Sequence, residues 1–169
     1  MDGNFTRKFR FVAGRHTNGP PAEITYSSVF SRDSVWLAFM IAELNDIDVF
    51  DAYIGYAYLN ASCCEKIWTK YGPDFGSQQG CIMLVVIKLY WLKSSVVSWR
   101  EIFAEILGNY GIGYTFTAED KYFFIKREVL PDGNDYYYMI LVYVDYILCI
   151  HKYKSDVIDA LELFYVIRR

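Results

Sequence analysis

Basic and apolar residues alternate near the start of the chain. Arg7, Lys8, Phe9, Arg10, Phe11, Val12 and Ala13 predict a strand with one wet face. Gly14, Gly19, Pro20 and Pro21 then break the pattern and predict a loop over 14–23. From Asp33 to Leu44 the apolar residues Val35, Leu37, Phe39, Met40, Ile41 and Leu44 mostly recur at helical spacing, with Ser31 or Ser34 available as the N-cap. Ile47 to Ile54 is β-branched and aromatic and predicts a short strand ending near Gly55, and Glu65 to Lys70 is a second short candidate. The nearly continuous apolar run from Cys81 to Leu92 fits a strand buried on both faces. Trp99, Ile102, Phe103, Ile106 and Leu107 mark the clearest helix, with Ser94, Ser95 or Ser98 at its start and Gly108 or Gly111 at its end. Beyond Gly113 the pattern is all-β: Tyr114–Thr117, Tyr122–Lys126, a turn at Pro131-Asp132-Gly133-Asn134, then Tyr136–Val144 and Ile147–Ile150. That last pair predicts a tight hairpin with Asp145 and Tyr146 at its tip, and Ser155 is expected to cap a final helix over Val157–Tyr165.

Composition narrows the picture without naming a function. With 169 residues, 54% hydrophobic and 22% charged, the chain suits one globular domain. The net charge of -3 argues against a whole-chain basic footprint for nucleic acid, so any phosphate contact would come from a local patch such as Arg7, Lys8, Arg10 and Arg15. A solvated basic strand explains the same residues. The four Cys, at 63, 64, 81 and 149, together with His16 and His151, form no zinc-ligand spacing and read as thiols in a reducing compartment. The most apolar stretch, Met139 to Ile150, contains Asp145 and is too short for a bilayer core of roughly 30 Å. A protein without a membrane segment, located in the cytoplasm or nucleus, is expected.

Chemistry enters with the segment Leu141-Val142-Tyr143-Val144-Asp145-Tyr146-Ile147-Leu148, which resembles the YVDD hairpin of copia-type retrotransposon reverse transcriptases. Further segments match in order. Lys8-Phe9-Arg10-Phe11-Val12-Ala13 is similar to the family's KARLVA, Ala57-Tyr58-Leu59-Asn60 to its AYLN, and Leu89-Tyr90-Trp91-Leu92-Lys93 to its LYGLK. Trp99 stands at the family's AW position, and Gly113-Tyr114 precedes Ala118-Glu119-Asp120 as the family's Gly-Tyr precedes its Ala-Asp-Pro. The resemblance implies an α+β fold of reverse-transcriptase-like fingers and palm, an antiparallel sheet with helices packed on one face. It implies a single partial domain over 1–169, with fingers at about 6–45 and 65–100 and palm at about 46–64 and 101–169. The family's thumb and ribonuclease H domain are not expected within it.

What the resemblance implies about activity is RNA-directed DNA polymerisation, with a primer-template and a dNTP as partners and Mg²⁺ as cofactor. Two ions roughly 3.5–4 Å apart, held by hard carboxylate oxygens, carry such chemistry. The family supplies one Asp from the strand before AYLN and two from the hairpin. In this chain those positions are Tyr53, Asp145 and Tyr146, so only Asp145 remains as a catalytic and metal-binding carboxylate. A phenol, with a reference pKa of about 10, is neutral at pH 7 and a poor Mg²⁺ ligand. Asp51 shares a strand face with Tyr53 but lies roughly 6–7 Å further along, too far to replace it. A copy that binds Mg²⁺ poorly and does not polymerise is therefore expected.

Two other departures matter. The Gly of LYGLK is Trp91, where the family's bare backbone would allow close approach to substrate, and the Asn of the related GNAYLN pattern is Tyr56. Substrate-binding positions survive by resemblance. Lys8 and Arg10 match residues expected to contact the triphosphate, Tyr58 matches the aromatic that excludes a ribose 2′-hydroxyl, and Lys93 is a candidate for template phosphate. Core packing is the competing reading for Tyr58, and solvation for Lys93. Two alternatives remain for the whole chain: a non-enzymatic nucleic-acid-binding module that stacks bases on exposed aromatics, or an unrelated interaction domain in which Asp145 is an ordinary turn residue.

Overall fold

Ser31 starts the first described element. Its hydroxyl accepts from the Ser34 N–H at 2.9 Å and caps helix α1, Arg32–Leu44. The computed structural model describes residues 30–92, 94–109, 112–129 and 133–168, so the strand expected at Arg7–Ala13, the loop over 14–23 and the first half of the turn at Pro131 lie outside the described residues. In chain order α1 is followed by β1 (Val49–Gly55), β2 (Trp68–Lys70), β3 (Ile82–Leu84), α2 (Ser95–Asn109), β4 (Thr115–Phe116) and β5 (Phe123–Val129). Then come β6 (Asp135–Tyr143), β7 (Tyr146–Ile150), α3 (Lys154–Glu162) and β8 (Val166–Arg168).

A six-stranded sheet in the order β4-β5-β6-β7-β1-β8 is antiparallel at every pairing. Its centre is β6, where Tyr138 to Val142 is buried without a break. Successive strand residues point to opposite faces, so such a run requires cover on both sides. On one face Phe124, Ile140, Val142, Ile147 and Cys149 pack with Trp99, Phe103 and Leu107 of α2 and with Val157, Ile158 and Leu161 of α3. On the other, Phe123, Met139, Leu141 and Ile150 pack with Ala38 and Ala42 of α1. The expectation of helices on one face therefore holds for α2 and α3 but not for α1. Met139, Ile140, Leu141 and Val142 are each at most 1% exposed, and burial of such side chains stabilises by about 1.5–3 kcal/mol apiece.

Helix α1 also turns differently from its apolar pattern. It buries Ser34, Ala38 and Ala42, while Trp36, Leu37, Phe39, Met40 and Leu44 are exposed. The small residues let the helix backbone approach the sheet, and the large ones face outward. Helix α2 follows its periodicity closely, burying Trp99, Phe103, Ile106 and Leu107, with the Trp99 and Phe103 rings stacked at 5.2 Å. Helix α3 begins earlier than expected: Tyr153, not Ser155, occupies its N-cap, and no side chain caps it.

The run from Cys81 to Leu92 is not one doubly buried strand. Ile82–Leu84 pairs with β2 in a separate two-stranded sheet, Ile87 makes only an isolated bridge to Ser62, and Ile82 is 67% exposed. Beyond it Val85, Leu89 and Leu92 form a small cluster of their own, and Lys88 is fully buried. The Lys88 ammonium donates to Glu65 Oε1 at 3.0 Å and to Ser94 Oγ at 2.7 Å, and the Ser94 hydroxyl donates to Glu65. A charge inside the run rules out the continuous apolar strand, because a buried ammonium must sit where a carboxylate can meet it.

Candidate functional site

The site is built around a two-residue turn. Strands β6 and β7 pair with Tyr143 opposite Tyr146, which leaves Val144 and Asp145 as the turn itself. The expected tip of Asp145 and Tyr146 thus shifts back by one residue, and Tyr146 is the first residue of β7. Val144 has φ 56°, a left-handed angle that hairpin turns usually assign to glycine and that a β-branched residue rarely adopts. A second contact holds the turn in place. The Asp145 carbonyl accepts from the Ile54 N–H at 2.7 Å, tying the turn to β1.

That contact follows from register. Across neighbouring strands Tyr143 faces Tyr146, Tyr146 faces Tyr53, and Tyr53 faces Arg168. Directly opposed residues project from the same sheet face, so these four side chains form one row beside Asp145. The Tyr53 and Tyr146 rings meet edge-on at 5.2 Å, and Phe30 tilts against Tyr143 at 5.6 Å. Tyr143, Tyr146 and Arg168 are exposed and Asp145 is half-buried.

Tyr58 lies in the 3-10 turn Ala57–Asn60 that follows β1. It is only 8% exposed, belongs to the main core and packs edge-on against Tyr90 at 5.2 Å. Burial pushes its phenol up to about 12, and the neighbouring Asp145 carboxylate adds to the effect. The group therefore remains a neutral donor near Asp145 at physiological pH. Asp51 is exposed on β1 opposite Leu148, farther from the turn than the Tyr53–Tyr146 pair. Among the described residues no group of three His, Cys, Asp or Glu side chains is placed to hold a metal ion. One carboxylate between two phenols does not fit Mg²⁺, which requires several hard oxygen ligands in near-octahedral geometry. The row offers instead a carboxylate, phenolic donors, one guanidinium and exposed ring faces.

Lys8, Arg10 and Lys93, the other expected substrate contacts, lie outside the described residues. Tyr143, Tyr90, Phe30 and Arg168 were not legible as site residues. A three-residue strand such as β8 carries too little pattern to be read, and Tyr143 and Tyr90 stand within apolar runs that look like core.

Tyr56 and Trp91 also have left-handed backbones, with φ 58° and 72°. The resemblance would place Asn and Gly here, the residue types that tolerate this conformation best. A backbone requirement is thus enough to account for the glycine that the resemblance would place where Trp91 stands. Trp91 is 66% exposed, so its ring contributes little burial. Trp91→Gly is expected to stabilise the fold by about 1 kcal/mol through relief of the positive φ. Urea unfolding reads this directly, and a midpoint lower than the parent's would show that the ring is holding the loop.

Comparison with known protein families, curated proteins and solved structures finds no match to this chain. Among the described residues no helix is long and apolar enough to cross a membrane.

Proposed function

We propose that this chain is a remnant of a copia-type reverse transcriptase, an RNA-directed DNA polymerase domain of fingers and palm whose metal site no longer supports polymerisation. One observation carries the reading: the turn bearing Asp145 is bonded to the strand bearing Tyr53, and Tyr53 faces Tyr146. Tyr53 is distant in sequence from the adjacent Asp145 and Tyr146, and the resemblance calls for the three positions to meet at one site. Hairpin, neighbouring strand and the Tyr58 turn all support it. Nucleotidyl transfer needs concentrated negative charge to hold cations against a triphosphate, and here two of the three positions are neutral phenols.

The exposed row favours a second reading, retained binding of nucleic acid without catalysis. Tyr143, Tyr146 and Tyr53 offer ring faces to unpaired bases, and Arg168 offers a charge to phosphate. One experiment addresses both. The chain is mixed with an RNA template, a DNA primer and dNTPs in Mg²⁺ or Mn²⁺, then assayed for extension and for complex formation at low and high salt. No extension is expected, and dNTP-dependent extension that disappears in Asp145→Ala would overturn the reading of a dead polymerase. Salt-sensitive complex formation is the signature of the binding role, and affinity unchanged by salt would remove it.

A further inference from the structure

We propose that a cavity at the opposite end of the sheet from Asp145, walled by Tyr114, Tyr136, Tyr138 and Tyr153, is an aromatic cage for a small organic ammonium group. The cavity has a volume of about 380 Å³. It opens where β5 and β6 are joined through the pairs Lys126–Tyr138 and Glu128–Tyr136, beside the first turn of α3. Tyr136 and Tyr138 stand perpendicular, at 89° with ring centroids 4.7 Å apart, and their hydroxyls are hydrogen-bonded to each other. That direct edge-to-face contact makes the two rings one fixed aromatic wall of the cavity, and a cation is attracted to the ring faces that such a wall leaves uncovered. Tyr114 adds an independent sign of a missing partner. It is 2% exposed, lines the cavity, and its hydroxyl is buried with no hydrogen bond.

Charge selects the sign of the ligand. Lys126 is paired with Glu128 at 2.7 Å, which leaves the Asp156 carboxylate, without an ion pair among the described residues, as the surplus charge of the lining. His151 does not offset it. Burial holds its imidazole below the usual range, reinforced by Lys126 and opposed by Asp156 and Glu128. The Tyr153 N–H donates to His151 Nδ1 at 2.9 Å, so the neutral ring carries its proton on Nε2. Stacked on Tyr138 at 3.5 Å, His151 serves as a further flat, uncharged wall. An anion would meet net negative charge here, and a neutral guest would leave Asp156 unused. The Lys152 ammonium lies 5.9 Å from the Tyr153 ring centroid, so a ligand ammonium shares this wall with a side chain of the protein itself.

The test titrates the full chain with choline and, separately, with 3,3-dimethyl-1-butanol, which has the same shape and no charge, while NMR follows the tyrosine ring signals. Choline is expected to give saturable shifts at Tyr136, Tyr138 and Tyr153, with the neutral isostere weaker by roughly threefold to thirtyfold. Tyr153→Ala and Asp156→Asn are both exposed positions and should keep the parent's unfolding midpoint while losing choline affinity by a similar factor. Absence of saturation, equal binding of the isostere, or full affinity in both variants would overturn the proposal. The cage is independent of the polymerase reading, and neither result bears on the other.

Discussion

Replacing Tyr53 and Tyr146 together with aspartate is expected to raise the affinity of the chain for Mn²⁺ by on the order of 100-fold, or about 2.8 kcal/mol. The two positions face each other across β1 and β7 beside Asp145, so the double variant would gather three carboxylates where the parent has one. Two opposite unit charges about 4 Å apart attract by roughly 4 kcal/mol at an effective dielectric constant of 20. Tyr146 is 53% exposed, so solvent screens much of that attraction and holds the gain well below the unscreened value. Without metal the same variant should be less stable than the parent. It loses the edge-on ring pair and sets like charges opposite one another, together about 1–2 kcal/mol. Calorimetric Mn²⁺ titration, paired with urea unfolding with and without the ion, separates the two effects. Equal Mn²⁺ affinity in parent and double variant would end the view that this turn is a metal site lacking charge.

Lys88→Ala is expected to destabilise the fold by about 3 kcal/mol, the largest single-residue effect outside the main core. The fully buried ammonium joins Glu65, ahead of β2, to Ser94 at the start of α2, while the Lys88 backbone N–H, which the substitution keeps, donates to the Ala61 carbonyl at 2.8 Å. Removing it leaves Glu65, only 17% exposed, without its cation. Burial raises the Glu65 carboxyl pKa, but hydrogen bonds from Ser94 and Lys88 outweigh this and hold it below the usual carboxylate range. Its contribution is therefore present above the unfolded carboxylate pKa and lost as pH falls through the lower folded value. A Lys88→Met, Glu65→Gln pair should recover most of the loss, because apolar packing replaces a charge pair that stabilises weakly in net terms. Equilibrium urea unfolding measures all three chains. A Lys88→Ala midpoint within error of the parent's would show that the network is dispensable.

How far the sequence could be read depends on how local each signal is. Trp99, Phe103, Ile106 and Leu107 repeat at helical spacing within one element, and α2 buries all of them. The continuous aromatic and aliphatic run around Tyr138–Val142 likewise announced the central strand. In α1, by contrast, apolar residues surround the helix, and nothing local says that Ala38 and Ala42 form the packed stripe. The hairpin was legible to within one residue, but its true turn, Val144-Asp145, places a β-branched residue where glycine would normally announce a turn. Strand β8, which sets Arg168 against Tyr53, comprises Val166–Arg168 alone and left no readable pattern.

Short-range order along the chain was enough to specify its helices, most of its strands and the turn that carries Asp145, because hydrophobic periodicity and backbone preference act over a few residues. Only the tertiary structure decided which distant residues meet: Tyr53 faces Tyr146 within the sheet, Lys88 meets Glu65 outside it, and four tyrosines surround one cavity. Strand register is the physical reason. A slip of one residue leaves every local preference intact yet reverses every side chain, so register is chosen by long-range packing, with buried Ile140 and Val142 on one side and Met139 and Leu141 on the other.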